Sequence, residues 1–145
     1  MKSNFSIAHE FVEFIPRDME ERTLYIAMEF ATASHRCFCG CGAEVVTPLS
    51  PTAWQLSYDG ENVSLNPSIG SWSLPCQSHY WIRRGKVEWS YAMSKEEIAA
   101  VKRRDQEDTL HYHGAVTASD ALQRPAAEPL QHKGALARLM AWLSK

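Results

Sequence analysis

The chain has 145 residues, 45% of them hydrophobic and 22% charged, which is the scale of one ordinary globular domain with room for a tail. A net charge of -2 removes the electrostatic reason to expect nucleic acid as a partner. No apolar run looks like a signal peptide or approaches the roughly 20 residues of a membrane span, so the expected compartment is the cytoplasm, where thiols stay reduced.

Residues 9–15, His-Glu-Phe-Val-Glu-Phe-Ile, mix apolar and acidic residues at strand-like spacing and stop at Pro16. Arg17 to Arg22 are nearly all charged and read as a turn, and Thr23 to Phe30 are rich in strand formers. The two runs are expected to pair as a first hairpin, with the second delivering the chain into a cysteine cluster. Glu44 to Pro48 leave that cluster as a short strand. Trp54, Leu56 and Tyr58 alternate with Gln55 and Ser57, and Asp59-Gly60 is a hairpin signal that Glu61 and Asn62 can extend. Val63 and Leu65 begin the return strand. Asn66-Pro67-Ser68-Ile69-Gly70 is bounded by turn formers and is expected to be irregular. A third hairpin joins His79 to Ile82 with Lys86 to Tyr91 around Arg84-Gly85, carrying Tyr80, Ile82, Val87 and Trp89 on one face.

At Ser94-Lys-Glu-Glu97 the period changes. Ser94 and Glu97 have the capping-box spacing, and a helix over about 95–108 follows, with Ile98 and Val101 turned inward. Residues 115–132 are rich in Ala, Pro and polar residues and read as a linker; 133–145 form a short amphipathic helix with Leu136, Leu139, Met140 and Leu143 on one stripe. The expected architecture is α+β: a small, mostly antiparallel β domain over 1–114, stapled by one zinc, then the linker and the terminal helix.

The staple is expected from His35 to Gly42, His-Arg-Cys-Phe-Cys-Gly-Cys-Gly, and from Cys76 in Cys-Gln-Ser-His. Clustered thiols in a reducing compartment read as ligands of a soft tetrahedral metal, zinc by default, and adjacent glycines let the backbone turn sharply enough to aim several sulfurs at one point. Two ligand sets remain open. Cys37, Cys39, Cys41 and Cys76 can close a structural site and leave His79 free, or Cys39, Cys41, Cys76 and His79 can bind and leave Cys37 spare.

Ser68 lies between Pro67 and Gly70, and His79 follows Ser78 beside the last cysteine. A serine and a histidine are the minimum for nucleophilic acyl transfer, with a third group to orient the imidazole. Glu13, Glu29 and Asp59 are the acidic candidates for that role. The pattern is not Gly-x-Ser-x-Gly, so a nucleophile elbow is not implied. The plain alternatives are a loop serine bonded to its own backbone and a core histidine. The tryptophans at 54, 72, 81 and 89 read first as core and second as the wall of a binding groove.

Three motifs in this order, Cys-x-Cys-Gly-Cys-Gly, Ser-Leu-x-Pro-Ser-Ile-Gly and Cys-x-Ser-His-Tyr-Trp-Ile-x-x-Gly-x-Val-x-Trp, resemble the bacterial domain-of-unknown-function family numbered six-five-two-seven. The resemblance covers about residues 9–113, and its motif positions include Cys37, Cys39, Cys41, Ser68, Cys76, Ser78 and His79. It implies a component of a bacterial ubiquitin-like conjugation system, acting with the modifier or its conjugating enzymes, in a setting of defence against phage. The expected activity is peptidase-like, at the C-terminus of the modifier, with Ser68 as nucleophile, His79 as general base and backbone N–H groups near Gly70 facing the oxyanion. The alternatives are a non-catalytic zinc-binding adaptor using its tryptophan-rich face, and a metal-dependent hydrolase built on Cys39, Cys41 and His79.

Overall fold

The computed structural model describes residues 3–123. The strands are β1 (Phe5–Ser6), β2 (Ala8–Phe11), β3 (Thr23–Ala27), β4 (Thr32–Arg36), β5 (Glu44–Pro48), β6 (Gln55–Tyr58), β7 (Val63–Gly70), β8 (His79–Arg83) and β9 (Lys86–Trp89), followed by one helix, α1 (Lys95–Gln123). One sheet has the order β1-β9-β8-β7-β6 and the other β2-β3-β4-β5. Both feed a single core: Leu24, Ile26, Ala33 and Val45 from the second sheet meet Val63, Leu65, Ile69, Tyr80, Ile82 and Val87 from the first. The alternation along β7 to β9 explains this, because every second residue must face the same side. A buried hydrogen bond of 2.9 Å between His35 Nε2 and the Tyr80 hydroxyl also joins the two sheets.

The expectation of a small, mostly antiparallel β domain matches this architecture. Glu44–Pro48 is a strand, and the hairpin around Arg84-Gly85 pairs Tyr80 with Trp89 and Ile82 with Val87. The first pairing needs correction. β2 does lie against β3, but the two run parallel, Ala8 opposite Thr23 and Phe11 opposite Ile26. Residues 12–22 are not a tight turn but a crossover long enough to carry the chain back to the start of β3. Buried Met19 anchors this crossover, and its carbonyl accepts a bond from Arg36 Nε at 3.1 Å.

The segment expected to be irregular is the second half of β7. Its ladder with β8 slips between Leu65, opposite Ile82, and Ile69, opposite Tyr80. Asn66, Pro67 and Ser68 therefore stand across from Trp81 alone. Pro67 has no N–H to give to a ladder, so a bulge at this point is the natural way to keep the strand.

The capping box of α1 forms as expected: Ser94 N–H donates to Glu97 Oε2 at 2.7 Å and Glu97 N–H to Ser94 Oγ at 3.2 Å. The helix runs to Gln123, into the segment read as a linker. The compact unit that carries the sheets reaches Tyr112. The expected helix over 133–145 lies outside the described residues.

Candidate active site and metal centre

The bulge in β7 and the first residue of β8 bring Ser68 and His79 together. His79 Nε2 lies 2.9 Å from Ser68 Oγ, and His79 Nδ1 lies 3.1 Å from the Tyr91 carbonyl. A carbonyl can only accept, so Nδ1 carries the proton and Nε2 presents its lone pair to the serine hydroxyl. That is the tautomer a general base requires. The orienting group is thus a backbone oxygen. Asp59 instead accepts the N–H groups of Glu61 and Asn62 in its own turn, and Glu13 and Glu29 are exposed side chains. Among the described residues none of the three carboxylates is a hydrogen-bond partner of His79. Nothing in the sequence marks Tyr91 for this role, because any residue could supply a carbonyl.

The imidazole is also held by rings. Trp72 lies 5.0 Å from it, centroid to centroid, and Tyr91 5.9 Å. Trp72 can approach because residue 70 is glycine: a Cβ there would run into the indole ring. The pair opens into a cleft of about 610 Å³, walled by Trp54, Trp72 and Trp81 on the sheet side and by residues of α1 on the other. The tryptophan-lined groove and the Ser–His pair are therefore one site.

The four cysteines form a second centre. The Sγ atoms of Cys37, Cys39, Cys41 and Cys76 all lie within 4.8 Å of one another, with Cys37 at 3.4 Å from Cys39 and 3.8 Å from Cys76. Around a tetrahedral ion with metal–sulfur bonds of about 2.3 Å, sulfurs stand about 3.8 Å apart, so this donor set fits a metal ion. The backbone explains the convergence. Cys37 N–H bonds to the Ala43 carbonyl at 2.7 Å, closing the loop, and Gly40 and Gly42 take positive φ of 84° and 75° inside it. The Arg36 guanidinium holds the Gly42 carbonyl at 2.8 Å. Cys76 arrives on a turn closed by Gln77 N–H to the Leu74 carbonyl. His79 is not in this group: its Nε2 faces Ser68.

Ser78 sits between the two centres. It is buried, and its hydroxyl has no well-aligned partner among the described residues, but it lies near the sulfurs. Burial opposes ionisation of Cys39, yet the nearby Ser78 hydroxyl and the neighbouring Cys41 and Cys37 outweigh it and bring the thiol down to about 6. Burial also opposes ionisation of Cys76, and the Ser78 hydroxyl and N–H again tip the balance downward. Burial dominates at Cys37 and pushes its thiol up to about 12. An ion bound here would have to displace that proton.

The span 11–90, which contains the serine, the histidine and all four cysteines, matches the family described as "Bacterial ubiquitination-like system serine protease (BubE)". The chain belongs to that family. No curated protein and no solved structure matches it. The family places the chain in a bacterial ubiquitin-like system, as the motifs implied. Among the described residues no helix is long and apolar enough to cross a membrane.

Proposed function

We propose that this BubE-family chain is a serine peptidase that hydrolyses the peptide or isopeptide bond at the C-terminus of a ubiquitin-like modifier, processing or removing it. The observation that carries this reading is the pair of bonds to His79: Ser68 Oγ on Nε2 and the Tyr91 carbonyl on Nδ1.

Ser68 Oγ attacks the scissile carbonyl while His79 Nε2 takes its proton. The resulting imidazolium is held by the Tyr91 carbonyl. Collapse of the tetrahedral intermediate breaks the C–N bond, and Nε2 returns the proton to the leaving amine. A water molecule, activated by the same nitrogen, then releases the modifier from Ser68 as a carboxylate. The negative charge on the intermediate calls for backbone donors near Gly70. Ser71 N–H is not one of them, because it is held by the Ser78 carbonyl at 2.8 Å.

Cys37, Cys39, Cys41 and Cys76 would hold zinc, whose four thiolate bonds tie the two loops together and leave no coordination position for water. Ser78 supports the thiolates from outside the shell. The metal-dependent hydrolase is disfavoured because His79 faces Ser68. This reading sets the protein in the cytoplasm, acting on the modifier and its conjugates, in the setting of phage defence that the motifs imply.

The test is to incubate the purified protein with the system's ubiquitin-like modifier carrying a C-terminal extension, and to weigh the products. Cleavage that disappears in Ser68→Ala, with metal content and fold unchanged, supports the reading. If wild type binds the modifier without cleaving it, the non-catalytic adaptor stands in its place.

A further inference from the structure

The cleft has two walls of different character. The sheet wall, with Ser68, His79 and the tryptophans, lies within the span shared with the family. The opposite wall, from Tyr91 onward, lies beyond it, since the match ends at residue 90. Val101, Arg104, Asp105 and Thr109 line the cleft from α1. Their spacing puts them on one face of a helix. Among the described residues that line the cleft, Arg104 and Asp105 are the basic and acidic side chains.

We propose that Arg104 is a specificity-determining residue, whose guanidinium pairs with a carboxylate of the peptide bound in the cleft. The proposal rests on the peptidase reading above and names what that site selects. Arg104 makes no ion pair among the described residues, where the one salt bridge joins Arg83 to Glu88. The five N–H donors of a guanidinium suit a carboxylate held at two points. Asp105 is anchored closer to the helix by its short side chain and leaves the longer reach into the cleft to Arg104. A charge pair made against three indole rings is screened less than one in open water. The carboxylate has two possible sources: an acidic side chain flanking the scissile bond, or the terminal carboxylate of the released product.

The experiment uses the full-length protein and internally quenched peptides with Glu, Gln or Lys at the positions flanking the scissile bond, assayed with wild type, Arg104→Glu, Arg104→Lys and Asp105→Asn. An acidic side chain as the partner gives a preference for Glu over Lys of about tenfold in kcat/KM, carried by KM, which Arg104→Glu reverses and Arg104→Lys partly keeps. The product carboxylate as the partner gives no such preference, but product inhibition that weakens about tenfold in Arg104→Glu. If Arg104→Glu alters neither, or Asp105→Asn alone shifts the preference, Arg104 does not have this role. Those outcomes require that wild type cleaves and Ser68→Ala does not, so they cannot be confused with failure of the peptidase reading, in which wild type itself is inert.

Discussion

Cys76 and His79 lie on one short connection, yet their side chains serve different centres: the Cys76 sulfur joins the other three cysteines, and the His79 ring faces Ser68. Ser78, between them, turns its hydroxyl toward the sulfurs. Gln77 turns the chain after Cys76 with a positive φ of 42°, and from Ser78 into His79, where β8 begins, consecutive side chains leave on opposite sides.

This separation predicts that His79→Ala keeps its metal. Metal analysis of the purified variant should find the same ion-to-chain ratio as in wild type. Modifier cleavage should fall by about 10²- to 10⁴-fold, the usual contribution of a positioned base. Loss of the ion together with the activity would place the histidine in the coordination shell and refute the assigned base.

The converse holds for Cys76→Ser. Removing one of the four proposed ligands should open the staple and leave the turn that delivers His79 without its anchor. Activity and tertiary structure should decline together, followed by near-ultraviolet circular dichroism, and a strong chelator should do the same to wild type. Activity that survives complete stripping of the metal would show that the cysteines do not hold the site in shape.

Gly70→Ala tests the ring that packs on the imidazole. The added methyl collides with the Trp72 indole, and overpacking of this kind costs about 1–3 kcal/mol. With Trp72 displaced, His79 loses one of its two ring neighbours. Cleavage should fall at least tenfold, about 1.4 kcal/mol of transition-state stabilisation, while metal content stays unchanged. Full activity would mean that Trp72 does not position the base.

His35 supplies a pH dependence. Burial lowers its pKa from the ordinary 6.5 to about 3, so the folded protein keeps it neutral. Below about 6.5 the unfolded chain takes up a proton that the native state refuses. Stability should therefore fall as pH drops from 6.5 toward 3, with a slope approaching about 1.4 kcal/mol per pH unit from this residue. Denaturant titrations of wild type and His35→Gln between pH 6.5 and 5 isolate it. Parallel curves for the two proteins would rule the residue out.

Much of this was legible in the letters. The four sulfurs could be grouped because alternate cysteines and glycines have few other uses, and the hairpin around Gly85 because its apolar residues alternate cleanly. β4 was not legible. Thr-Ala-Ser-His-Arg looks like a loop, but Ser34 and His35 are buried, with Ser34 Oγ engaged by Glu44 and the Val45 carbonyl and His35 Nε2 by the Tyr80 hydroxyl. Tertiary partners supplied what the composition lacked. The parallel course of β2 was hidden for another reason: a charged stretch reads the same as a turn or as a crossover. Tyr91 was invisible because its contribution is a carbonyl.

The bulged β7 puts the proposed nucleophile on a strand and not at the tip of a mobile loop. Gly70 and His79 are ladder partners, so the distance between Ser68 and its base is set by the same backbone bonds that close the core. Opening that distance means opening the sheet. Heat or denaturant should then find no folded but inactive form along the way, and the amides around Ile69 and Tyr80 should exchange with solvent as slowly as any in the protein.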